Sequence, residues 1–144
     1  MPFSLESLAH VLALTEAHGG ATVHAERGNL AGQDRYAVSI FPDRSRVIEG
    51  SATLRDLAEF VQANADLLAR PDVSLGTWKH GGRTWIDAVA TVESRERAVS
   101  LGRQFDQIAV FDLGNLVEIP TGGTGVVKPD ALPLADRLEA LAAA

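Results

Sequence analysis

Two segments of alternating apolar residues, Ser74 to Lys79 and Thr84 to Val92, are separated only by His80-Gly81-Gly82-Arg83. Glycine accepts the positive φ angles that a tight reversal demands, so this arrangement predicts an antiparallel β-hairpin. A hairpin is marginal alone in water, so at least one of its faces must be covered by other elements of the chain.

The flanking sequence supplies that cover. Ser4 is placed to cap a helix in which Leu5, Leu8 and Leu12 recur at helical spacing, with Val11 beside them, and Gly19-Gly20 after His18 ends it. Thr53 with Asp56 forms a capping-box-like start to a second helix, whose stripe Leu54, Leu57, Val61, Ala65 and Leu68 runs to a stop at Pro71. Ser94 opens a third helix with Ala98, Leu101 and Phe105 on one face. Between these helices, Ala21 to Ala25, Tyr36 to Phe41, Arg46 to Glu49, Ile108 to Leu113 and Leu116 to Ile119 read as strands. Gly28 to Asp34 and Pro42 to Ser45 read as turns, and Gly114-Asn115 as a two-residue hairpin turn. The expected fold is a single α+β domain: a mostly antiparallel sheet of about six strands with three helices packed on it. Residues 1–120 form that domain, 121–128 a flexible linker through Thr121-Gly122-Gly123-Thr124-Gly125, and 129–144 a C-terminal helix with a Leu134, Leu138 and Leu141 stripe.

Charge narrows the function classes. The 144 residues hold 13 Lys and Arg against 19 Asp and Glu, a formal net charge of −6. An acidic balance opposes phosphate-backbone contact, so no nucleic-acid partner is expected. The acids are interspersed with bases, as on an ordinary solubilising surface. No apolar run approaches the roughly 18 residues of a membrane span, and the start of the chain carries Glu6 and no basic segment. With no cysteine as well, the expectation is a cytoplasmic protein without a membrane partner.

Motif chemistry is sparse. His10, His18, His24 and His80 form no pair at metal-ligand spacing, so no metal is expected. Gly122-Gly123-Thr124-Gly125 lacks the Lys-Ser or Lys-Thr of a phosphate loop, and no GxGxxG occurs, so no cofactor is expected. Two acids stand inside apolar strands. Asp87 and Asp112 are each a candidate general acid or base if buried, but the stronger reading is structural, since strand-end acids commonly bond turn amides or pair with an arginine such as Arg83. Trp78 and Trp85 flank the hairpin loop. They read either as cross-strand packing or, with His80 and Arg83, as a binding surface, since tryptophan and arginine dominate interface hot spots.

The runs Gly76-Thr77-Trp78, Thr84-Trp85-Ile86-Asp87, Gln107 to Leu113 and Glu118 to Gly123, with the helical Asn64 to Leu68, cover about half of the chain. This pattern resembles small uncharacterised proteins of bacteriophages and other mobile elements. The resemblance implies an accessory protein that binds a host or phage protein, and it brings no catalytic residue with it. The reading is therefore a non-catalytic protein-interaction module, through a protein partner or self-association, with Trp78, His80, Arg83 and Trp85 as binding residues. The alternatives are a small acid/base enzyme using Asp87, Asp112 or His80, and a structural or virion component.

Overall fold

The computed structural model describes residues 3–124 and 133–142. In chain order its elements are α1 (Leu5–His18), β1 (Gly20–His24), β2 (Gly28–Asn29), β3 (Tyr36–Val38), β4 (Arg46–Glu49), α2 (Leu54–Ala63), α3 (Ala65–Leu68), β5 (Val73–His80), β6 (Arg83–Val92), α4 (Arg95–Gln104), β7 (Ala109–Asp112), β8 (Val117–Pro120) and α5 (Leu134–Ala142), with a 3-10 turn at Pro42–Arg44. The fold is α+β, and its pairings are antiparallel. The described residues form eight strands and five α-helices, against the expected six strands and four helices.

The chain divides into two compact units, residues 1–30 with 44–88, and residues 31–43 with 89–144. In the first, the strand order is β2-β1-β5-β6, with β4 also paired to β6. The hairpin forms where the sequence predicts it. Gly81 and Gly82 both take positive φ, +61° and +77°, the type I′ geometry whose twist matches the flanking strands. Register then sorts the faces. The hydroxyls of Thr77 and Thr15 meet at 2.5 Å and Lys79 pairs with Glu16 at 2.7 Å, so these β5 residues face α1. Arg46 of β4 reaches Glu59 of α2 at 2.9 Å on the same side. The apolar members of this helix-facing side, Leu75, Ile86 and Ala88, are fully buried. By strand alternation Trp78, His80, Trp85, Asp87 and Val47 lie on the other face.

Capping follows the sequence closely. Ser4 accepts from the Ser7 amide, Gly19 closes α1 with φ +81°, and Thr53 and Asp56 make both bonds of a capping box. The single helix expected from Thr53 to Pro71 is instead two. Asn64 interrupts it: its amide group donates to the Phe60 carbonyl at 2.9 Å, while its side-chain oxygen accepts from Arg44 at 3.0 Å. A polar side chain that competes for backbone partners ends the α2 ladder, and the phase of the stripe shifts. Leu67 and Leu68 are buried after the break, while Ala65 is exposed.

In the second unit the order is β6-β3-β7-β8, and α4 packs on β3 and β7. The expected strand from Tyr36 to Phe41 is cut to Tyr36–Val38, because the Ile40 carbonyl is drawn away to accept from Arg137 at 3.1 Å. Ile40 and Phe41 are fully buried all the same. The expected two-residue Gly114-Asn115 turn is a four-residue loop, since Asp112 pairs with Val117 and Leu116 takes φ +56°. Thr121 and Gly123 donate their amides to Ile108 and Gln107, and Thr124 donates to Asp106. Residues 125–128 of the expected linker lie outside the described residues. Helix α5 is held within this unit by Arg137, a residue only 5% exposed, which pairs with Asp43 and lies 5.7 Å above the centre of the Phe41 ring.

Candidate functional site

Three of the four binding residues expected from sequence share a continuous part of the hairpin. Trp78 and His80 project from the same face of β5, two residues apart, and their rings stack at 4.6 Å with planes inclined by 16°. Trp78 is half-buried and His80 exposed, so the pair presents an aromatic edge to solvent. Trp85 stands on the same face of β6, with its indole N–H buried and lacking a partner among the described residues. Neither tryptophan is wholly in the core: both are half-buried, whereas Leu75, Ile86 and Ala88 on the opposite face are fully buried. Arg83 is the fourth. It is exposed, and its Nε pairs with the exposed Glu49 at 2.9 Å across the β4–β6 ladder.

β4 completes the face in a way that sequence reasoning missed. Val47 sits directly opposite Trp85 and is 41% exposed, a large apolar group left open at the side of the tryptophan. Ser45, one step before β4, donates its hydroxyl to Asp87. Arg46 to Glu49 is readable as a strand, but nothing in the local pattern shows that its partner is β6.

The two acids separate clearly. Burial pushes the Asp87 carboxyl above the ordinary aspartate range, and the Ser45 hydroxyl only partly offsets this. Asp112 behaves in the opposite way. Hydrogen bonds from the Asn115 side chain, at 2.8 Å, and the Asn115 amide, at 3.1 Å, hold it below the ordinary range, with Arg95 contributing. Asp112 is thus a brace for the β7–β8 loop of the second unit.

Two further polar groups occupy the face of Trp78. The Nδ1 atom of His24 accepts the amides of Glu26 and Arg27 at 3.1 and 3.2 Å, which places the proton of a neutral ring on Nε2. That Nε2 and the Ser74 hydroxyl are buried without partners among the described residues. His10 and His18 lie on α1, and no group of three His, Cys, Asp or Glu within metal-binding reach occurs among the described residues. No described helix is long and apolar enough to cross a membrane.

Compared with protein-family models, curated proteins and solved structures, the chain matches none of them. The site is read from its own chemistry.

Proposed function

We propose that this protein is a non-catalytic interaction module that engages a protein partner through the hairpin face carrying Trp78, His80, Arg83 and Trp85. The observation that carries the reading is the solvent-facing Trp78–His80 stack, on the face that also carries Trp85 and the exposed Val47 opposite it. Rigid aromatic groups lose little entropy on contact, so a half-exposed aromatic pair is well suited to anchor a partner. Val47 and the Arg83–Glu49 pair extend the patch with an apolar centre and a charged margin, the composition of a small interface. In line with the resemblance to phage and mobile-element proteins, the partner is a host or phage protein. The test is capture on immobilised wild-type protein and on Trp78→Ala, from cells that make the protein. A protein retained by wild type and released by the Trp78 change supports the reading; identical captured sets from both refute it.

One observation favours a second reading. A carboxyl pushed upward by burial and held by a hydroxyl, as Asp87 is by Ser45, has the properties of a general acid. On that reading Asp87 protonates a small polar substrate held against Trp85. A substrate screen in which Asp87→Asn alone abolishes turnover would move the assignment from the module to the enzyme.

A further inference from the structure

The outer edge of β8 lies beside a second feature, an open depression lined by Arg95, Val99 and Arg103 of α4 and by Ile119 and Pro120 of β8. The three α4 residues follow one another at i, i+4 and i+8 and so form a single stripe along the helix. Both arginines are exposed, and neither is in an ion pair among the described residues. The one acid of the lining is Glu96, so the depression is net cationic in a chain whose net charge is −6.

β8 itself offers backbone groups. Thr121 donates to Ile108, and the register sets Ile119 opposite Val110 and Val117 opposite Asp112. Hydrogen bonding alternates along an antiparallel pair, so Val117 and Ile119 bond toward β7. The N–H and carbonyl of Glu118 and the carbonyl of Pro120 are turned outward, and no described strand pairs with them. Proline has no N–H, so this edge offers one complete bonding pair and one further acceptor. Such an edge resists open-ended strand addition, so any added segment is short and its register must be set by side chains.

From these features we infer that β8 and α4 form a docking groove for an extended acidic segment of another protein, added as a strand beside β8 with the pattern acidic–x–apolar–x–acidic. The spacing comes from matched rises. Eight residues of helix place Arg95 and Arg103 about 12 Å apart along the axis, and four strand steps of roughly 3.3 Å span about 13 Å. Acidic side chains at the two ends of a five-residue strand segment therefore meet Arg95 and Arg103. The apolar residue midway, on the same face of the added strand, meets Val99 and Ile119. Recognition combines backbone bonds, which give attachment, with alternate side chains, which give selectivity. Val117, 49% exposed on this face of β8, widens the apolar floor at the Arg95 end.

This inference rests on the reading of the chain as an interaction module, but it uses none of the hairpin residues. The experiment is fluorescence anisotropy of a labelled peptide, Gly-Ser-Asp-Thr-Val-Thr-Asp-Ser-Gly, against the full chain, with Arg95→Glu/Arg103→Glu and Trp78→Ala as variants. Far-UV circular dichroism verifies that each variant is folded; both arginines are exposed, and an Arg95→Ala/Arg103→Ala pair provides a milder replacement. The expected result is saturable binding that weakens at least tenfold in the arginine variants and in 0.5 M salt, and that is unchanged by Trp78→Ala. A peptide with its two aspartates moved one position inward should bind at least tenfold more weakly. Equal binding by that peptide or by hexa-aspartate would overturn the groove, because charge alone would then suffice. So would absence of binding at millimolar peptide, or loss of binding in Trp78→Ala with retention in the arginine variants. The last result would leave the hairpin reading standing.

Discussion

Ser45 donates its hydroxyl to Asp87 on the face of β6 that also carries Trp85, and this is the one described hydrogen bond that supports a carboxyl otherwise penalised by burial. Because the folded-state pKa of Asp87 lies above its unfolded value, the protonated acid is the form that the fold prefers. Its contribution to stability is fully present below the unfolded pKa and is lost as pH rises through the folded pKa.

Asp87→Asn keeps the acceptor for Ser45 and removes the charge. The variant should melt above wild type at pH 8, and the difference should shrink toward zero as the pH falls below the ordinary aspartate range. Ser45→Ala should act in reverse, destabilising by about 1–3 kcal/mol and most at high pH, since it strips the buried carboxyl of its one described hydrogen-bond partner. Thermal melts of the three proteins from pH 3.5 to 8 check both; parallel curves at every pH would contradict the buried-acid assignment.

Gly102 on α4 sets helix propensity against packing. In an open helix, Gly→Ala gains about 1 kcal/mol. Here a Cβ would meet Val110 Cγ1 at 2.7 Å and Thr121 Cγ2 at 3.0 Å. Overpacking of a buried contact costs about 1–3 kcal/mol, so Gly102→Ala should be net destabilising. Urea titration with an unchanged m value is the measurement, and a higher midpoint would show that the helix stands off the strand.

Arg137 anchors α5. Arg137→Ala removes the Asp43 pair, the bond to the Ile40 carbonyl and the cover on Phe41 together. We expect faster amide exchange throughout residues 134–142, with strands β5 and β6 unaffected. Exchange in α5 that matches wild type would mean that Leu141 alone holds the helix.

Trp78 and Trp85 are only half-buried, so their truncation should cost less than that of a core aromatic. Trp85→Ala should lose about 2–3 kcal/mol and Trp78→Ala about 1 kcal/mol, both below the range typical of fully buried rings. Equilibrium unfolding would expose an error in the face assignment if either loss exceeded about 4 kcal/mol.

Local chemistry was legible without the fold. The Ser4, Thr53 and Ser94 caps, the Gly19 stop and the Gly81-Gly82 reversal depend on groups within four residues of one another, so residue type alone fixes them. The break at Asn64 was not legible, because its second partner, Arg44, comes from twenty residues away. The loss of strand at Ile40 has a similar cause, in Arg137 almost a hundred residues later.

The same division runs through the candidate sites. Sequence by itself put Trp78, His80, Arg83 and Trp85 around one turn, since a two-residue reversal leaves little choice of neighbours. It could not decide which face looks toward α1, because both faces of each strand carry apolar residues and alternation then gives no sign. Pairing with β4 and the contact of Thr77 with Thr15 decided that. The roles of Asp87 and Asp112, alike as acids in apolar strands, were likewise set by tertiary surroundings. Asp112 finds Asn115 three residues on, whereas Asp87 depends on Ser45, forty-two residues back. A carboxyl's ionisation follows its solvent and its partners, and for a buried group both are supplied by distant parts of the chain.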